Sequence, residues 1–236
     1  DGSYSVSGVV DGAITIAITT PEGYNTISSL TNTVAGKDLP NQNFKGHKTV
    51  VSGTAMDEDG VTPLVGETVT VTDKNGTTYT ATTGTDGSYS VSGVVDGAIT
   101  IAITTPNGYD TISNLTNTVA GKDLTNQNFK GVPTEVSGNV TDTDGNPLEN
   151  VEVQLVDKND PTNVIGPVKT DSDGDFITTK VPNGVYDVVV VTPDGYKPVN
   201  PIEITVNNDS HKNLTFTPAP TEVTGNVTDT DGNPLE

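Results

Sequence analysis

The sequence predicts an all-β protein assembled from tandem β-sandwiches. Three observations predict it. Apolar residues alternate with polar ones at period two, turn-forming Gly pairs recur about every 8–12 residues, and long blocks of the chain are copied almost verbatim.

The alternation is the first of these. Ile99, Ile101 and Ile103 alternate with Thr100, Ala102 and Thr104, Val69 and Val71 with Thr68, Thr70 and Thr72, and Ile202, Ile204 and Val206 with Glu203 and Thr205. Side chains on a strand point to opposite faces in turn, so this spacing puts one apolar and one polar face on each segment. No segment has the i, i+3, i+4, i+7 spacing of an amphipathic helix. The apolar fraction of 31% is low for a folded domain, and the pattern argues for folding where composition alone would not.

The copies set the organisation. Asp1 to Gly46 returns as Asp86 to Gly131 with substitutions only at residues 22, 25, 29 and 40, and Thr134 to Glu149 returns as Thr221 to Glu236 with Ser137 replaced by Thr224. Residues 1–46 therefore read as the rear of one repeat, 47–131 and 132–219 as complete repeats, and 220–236 as the first strand and turn of another. Both ends fall inside a repeat, so the expectation is a window from a longer array.

Within 47–131 the strands are expected at Val50–Ala55, Glu67–Asp73, Thr77–Thr83, Ser88–Ser92, Ala98–Thr104, Ile112–Val119 and Gln127–Lys130. Asp59-Gly60, Asn75-Gly76, Asp86-Gly87, Asp96-Gly97 and Asn107-Gly108 separate them, all pairs that tolerate positive φ. About seven short strands per repeat mean an immunoglobulin-like sandwich.

Charge closes several functional classes. The chain has 31 acidic and 11 basic residues, a formal charge of −20, and its basic residues are all Lys. A surface this acidic repels nucleic acid, and without Arg it lacks the bidentate fork for phosphate. With no Cys, thiol nucleophiles, thiolate metal sites and disulfides are excluded. No apolar run is long enough to span a membrane. No nucleophile motif such as Gly-x-Ser-x-Gly occurs, and a catalytic site copied across near-identical repeats is not expected. The chain reads as no enzyme, with no organic cofactor.

Ser137-Gly138-Asn139-Val140, Asp142-Thr143-Asp144-Gly145-Asn146-Pro147-Leu148, Val181-Pro182-Asn183-Gly184-Val185-Tyr186 and Thr192-Pro193-Asp194-Gly195-Tyr196 follow one another in the second repeat. This layout resembles carboxypeptidase-regulatory-like domains and is similar to the B-type repeats of serine-aspartate-repeat adhesins and collagen adhesins. In the first repeat, Ala120-Gly121-Lys122-Asp123 through Asn126-Gln127-Asn128-Phe129 looks like the closing strand of the adhesin version. The resemblance implies a prealbumin-like sandwich and a repetitive stalk on the cell surface of a bacterium or archaeon. In the collagen-adhesin relatives a first-strand Lys is joined to a last-strand Asn, which here would pair Lys48 with Asn126 or Asn128.

The acidic turns are the candidate metal sites. Asp57 and Asp59, Asp142 and Asp144, and above all Asp171, Asp173 and Asp175 place alternate carboxylates on tight Gly turns, where they could converge on calcium, a hard cation that takes six to eight oxygens. The plainer reading is that Asp and Gly are the commonest turn residues. Tyr24, Tyr109 and Tyr196 each follow Pro-x-Gly and read as caps on the core, with a sugar-stacking platform as the alternative. Six Asn-x-Ser/Thr triplets, at Asn75, Asn114, Asn139, Asn208, Asn213 and Asn226, are candidate glycan acceptors.

Near-duplicate modules suit a spacer, which needs copy number and stiffness more than a unique surface. The expected function is a structural segment of an extracellular surface stalk, adhesin or biofilm filament, forming a stiff rod of stacked sandwiches that calcium could stabilise. Its expected partners are other copies or continuing repeats, head to tail. The alternative is a module binding carbohydrate or a host surface, with surface glycans as its partners.

Overall fold

The computed structural model describes residues 1–234, which hold sixteen strands and no helix. Two compact units divide the chain: Asp1–Thr104 with Ile112–Gly131, and Thr105–Thr111 with the residues from Val132 onward.

Unit 1 contains β1 (Gly12–Ile16), β2 (Leu30–Val34), β3 (Val50–Asp57), β4 (Thr68–Thr72), β5 (Thr78–Thr82), β6 (Ser88–Ser92), β7 (Gly97–Ile103), β8 (Leu115–Val119) and β9 (Phe129–Gly131). β3 lies between β6, antiparallel to it, and β9, parallel to it. The second sheet runs β5-β4-β7-β8, antiparallel throughout. Register follows the alternation. Val69 pairs with Ile103 and Val71 with Ile101, so these apolar side chains share one face while Thr70 and Thr72 take the other. Val51, Val69, Val71 and Ile101 are fully buried, and each such side chain contributes about 1.5–3 kcal/mol. The Tyr89 hydroxyl donates to the Gln127 carbonyl at 2.5 Å, and burial pushes its pKa up to about 12, which keeps it a donor.

Unit 2 contains β10 (Glu135–Val140), β11 (Glu152–Asp157), β12 (Val164–Lys169), β13 (Asp175–Thr179), β14 (Gly184–Val190), β15 (Ile202–Val206) and β16 (His211–Phe216). The plan is the same: β13-β10-β16 faces β12-β11-β14-β15, with β10 and β16 parallel. Val136, Val140, Val153, Leu155, Tyr186 and Val188 form the centre of the core. Pro167 cannot donate to a ladder, and it sits on the edge strand β12, where the register shifts between Val153 and Leu155.

The middle of β3 and of β10 is a Gly because the chain leading into or forming the last strand passes directly over it. A Cβ on Gly53 would stand 1.9 Å from the Gln127 carbonyl oxygen, and one on Gly138 would stand 2.1 Å from that of Leu214.

The expected strands overlap the observed ones throughout 47–131. The largest difference is at Ile112–Val119, where β8 starts only at Leu115. The copied ends differ from their originals in burial. β1 and β2 pair only with each other, and Tyr4, Val6 and Val10 are exposed where Tyr89, Val91 and Val95 are buried. Val223 and Val227 are likewise exposed where Val136 and Val140 are buried.

Candidate functional site: loop clasps and acidic turns

Pro-x-Gly-Tyr occurs three times, at Pro21–Tyr24, Pro106–Tyr109 and Pro193–Tyr196, each with its Gly at positive φ. The Gly turns the chain so that the Tyr backbone lies antiparallel to the residues that lead into the next first strand. Tyr24 bridges Lys48, Tyr109 bridges Pro133 and Tyr196 bridges Pro220.

The same hydrogen bonds recur at each place. In unit 1, the Thr49 amide donates to Gly23 O at 2.9 Å and the Asn25 amide to His47 O at 2.8 Å. In unit 2, Thr134 donates to Gly108 O at 2.9 Å and Asp110 to Val132 O at 2.8 Å. The third copy has Thr221 to Gly195 O at 2.8 Å and Lys197 to Ala219 O at 2.7 Å.

A further bond ties two of the loops to the corner before the last strand. Thr26 donates to Gly121 O and Thr111 to Asn208 O, both at 2.8 Å. Gly121 (φ 64) and Asn208 (φ 54) occupy the left-handed region that Gly and Asn tolerate best. Backbone bonds of this kind fix a loop without depending on side-chain identity.

Side chains complete two clasps. In unit 1, Asp123 Oδ1 accepts from the Val50 amide and from Asn25 Nδ2, both at 2.9 Å, while Oδ2 lies 3.2 Å from His47 Nε2. The Val50 amide first, then Asn25, holds the Asp123 carboxyl below its ordinary pKa. In unit 2, Ser210 Oγ accepts from the Glu135 amide at 2.9 Å and donates to the Asp110 carboxylate at 2.8 Å. Lys180 Nζ sits 5.4 Å from the centre of the Tyr109 ring, a cation–π distance. Tyr109 is buried and Tyr24 and Tyr196 are half-buried, and the backbone of each stands in a clasp. Their repetition was visible in the sequence, but the partner they bridge was not.

The acidic turns are organised by backbone amides. Asp171 Oδ1 accepts from the amides of Asp173 and Asp175 at 2.9 Å, and Asp175 Oδ1 accepts from Asn139 Nδ2 at 2.8 Å. Asp142 Oδ1 takes the amides of Asp144 and Asn146, while its Oδ2 takes the Asn146 side chain. Asp57 Oδ1 accepts from the Glu58 amide, and Asp59 Oδ1 accepts from Val61 and Thr62. The first Asp of the Asp142 and Asp171 turns thus bonds its own backbone two and four residues on. Among the described residues no group of three or more His, Asp or Glu side chains gathers where it could hold a metal ion. Asn128 Oδ1 accepts from the Thr54 amide and hydroxyl, tethering the approach to β9.

These turn bonds set an acid limit. Burial pushes the Asp73 carboxyl up, but the amides of Asn75 and Thr77 and the Tyr79 hydroxyl outweigh it and leave its pKa lowered. The Asn146 side chain first, then its amide, lowers Asp142. A carboxyl lowered in the folded state contributes stability above its unfolded pKa of about 3.9 and loses it as pH falls through the folded value. Thermal melts from pH 6 to pH 2 are therefore expected to show a falling melting temperature below about pH 4. Asp73→Asn, which has no such proton to take up, is expected to lose less over the same range. Parallel losses in both proteins would refute the assignment to Asp73.

Residues 135–219 match the family model of the carboxypeptidase regulatory-like domain. The chain is 28% identical over 266 aligned residues to serine-aspartate repeat-containing protein D of Staphylococcus aureus strain Newman, covering 90% of this chain and 20% of that protein. It is 32% identical over 169 residues to serine-aspartate repeat-containing protein F of Staphylococcus epidermidis, covering 61% of this chain and 10% of that protein. The chain thus spans about a fifth or less of the length of these relatives. Among solved structures, the Bacillus anthracis TIE protein aligns over 82% of this chain and 37% of its own, at 17% identity and a TM-score of 0.41.

Proposed function

We propose that this chain, whose second repeat belongs to the carboxypeptidase regulatory-like domains, is a stiff spacer in a bacterial cell-surface stalk or adhesin. The observation that carries the reading is the clasp, built three times with the same backbone bonds at the same place. A loop bonded to the start of the next first strand removes the free rotation that a short linker alone would leave. The similarity to staphylococcal serine-aspartate repeat-containing proteins supports a repetitive surface role. The role is structural, its chemistry is hydrogen bonding between modules, and its partners are further repeats or copies in series. Calcium is a separate proposal motivated by charge: with a net −20, a divalent ion held by Asp171, Asp173 and Asp175 would relieve repulsion once their side chains swing together.

Small-angle scattering tests the spacer. Arrays of increasing repeat number are expected to give rods whose length rises linearly. Gly23→Ala and Gly108→Ala, which place a Cβ on a positive-φ Gly against Gly93 O and Lys180 O, are expected to loosen them. A freely jointed profile for the unaltered array would sink the reading. Melting in CaCl2 and in NaCl of equal ionic strength tests the ion. A larger rise with calcium supports coordination, and equal rises reduce it to screening.

A further inference from the structure

We infer that the residue after each clasp tyrosine and the residue it meets near the last strand form a matched donor–acceptor pair. That pair makes each loop selective for the repeat on which it docks. The inference rests on the clasp reading and adds a side-chain code to a backbone device.

Polarity reverses at equivalent positions. Asn25 and Asp110 occupy the same place in copied blocks, and this is one of the few positions at which the copies differ. Their partners, Asp123 and Ser210, also occupy one place. Each lies two residues after the left-handed corner, and each accepts the amide that opens its first strand, Val50 or Glu135. That shared acceptor role needs only an oxygen. Toward the loop, the two partners do opposite things. Asp123 accepts from Asn25 Nδ2 at 2.9 Å, whereas Ser210 donates its hydroxyl proton to Asp110, with 2.9 and 2.8 Å to the two carboxylate oxygens.

Each half pairs less well with the other's partner. A loop Asp facing Asp123 would bring two carboxylates to hydrogen-bond distance with no proton between them. An Asn facing Ser210 keeps a weaker neutral bond, and loses the charge-assisted one that Asp110 makes. The backbone clasp is common to all copies and cannot tell repeats apart. The side-chain pair can, because a mismatched loop leaves like charges opposed or polar groups unpaired. Lys197 holds the equivalent place in the third clasp, and a cation there suits a carboxylate partner.

The experiment is a pair of double-mutant cycles on the whole chain, read by hydrogen exchange at the clasp amides of Asn25, Thr26 and Thr49 in unit 1 and Asp110, Thr111 and Thr134 in unit 2. Asn25→Asp is expected to speed exchange at the first set by about tenfold, and adding Asp123→Ser to restore it. Ser210→Asp is expected to speed the second set by a similar factor, with rescue by Asp110→Asn. Each single variant should leave exchange in the β4–β7 and β11–β14 ladders unchanged, which separates docking from unfolding. Double variants no slower than the damaged single ones would overturn the pairing. So would single variants with no effect. A scattering profile without stiffness alongside intact coupling would refute the spacer and leave the pairing standing. A stiff array without coupling would do the reverse.

Discussion

Gly138→Ala is expected to destabilise unit 2 by about 3 kcal/mol or more, because the new Cβ has nowhere to go. It would lie 2.1 Å from the Leu214 carbonyl oxygen, 2.8 Å from the carbonyl carbon and 2.9 Å from the Leu214 Cβ. Two of those atoms are backbone in the parallel β10–β16 pair, which aligns Gly138 with Leu214 and Val140 with Phe216. Relief therefore requires opening the ladder that closes the sandwich. Gly138 does not have a positive φ, and Ala is the better strand residue by local entropy, so local effects favour the substitution. The loss is tertiary alone. At about 4–8 °C per kcal/mol for a domain of this size, the unit 2 transition should fall by roughly 15 °C in calorimetry. Gly225→Ala is the matched control, since Gly225 holds the copied position in the tail with nothing within 4 Å of its Cβ. It is expected to change the melt by no more than about 0.5 kcal/mol. Equal melting of Gly138→Ala and the unaltered protein would contradict this account of the glycine.

Ile101→Ala and Ile16→Ala are expected to differ severalfold although they alter the same sequence. Both isoleucines stand in Gly-Ala-Ile-Thr-Ile-Ala-Ile, at residues 12–18 and 97–103. Ile101 is fully buried between the sheets of unit 1, and its truncation removes apolar contacts and leaves a cavity, at a cost of about 2–5 kcal/mol. Ile16 lies on β1, which pairs with β2 alone and carries no facing sheet, so it remains only half-buried. Its truncation should cost under about 1 kcal/mol. Denaturant titration of the unit 1 transition gives both numbers, and equal costs would mean that the β1–β2 pair is covered in solution.

The strand positions in residues 47–131 could be read in advance, because alternation and Gly turn pairs are local signals. A one-residue error would move every Val and Ile to the wrong face, so the pattern leaves little freedom. The copied blocks stood out for a similar reason: an almost exact copy needs no structure to be seen. The lack of Cys excluded thiol nucleophiles, thiolate metal sites and disulfides from composition alone.

Other features depend on residues far apart in the chain, and alternation carries no information about them. The parallel pairing of Ala55 with Phe129 turned Gly53 from a permissive residue into an obligatory one. Tyr109 is buried, as a core cap is, and its backbone also stands in the middle of a clasp with Pro133, which belongs to another repeat by sequence. Local sequence by itself determined where strands and turns fall in this protein, since those follow from backbone preference and side-chain alternation within a few residues. Only the tertiary structure decided that Ile101 is buried while Ile16 is not, and that Asn25 meets an acid while Asp110 meets a hydroxyl. Burial and pairing are set by what packs across the sandwich, and a strand carries no record of its neighbour.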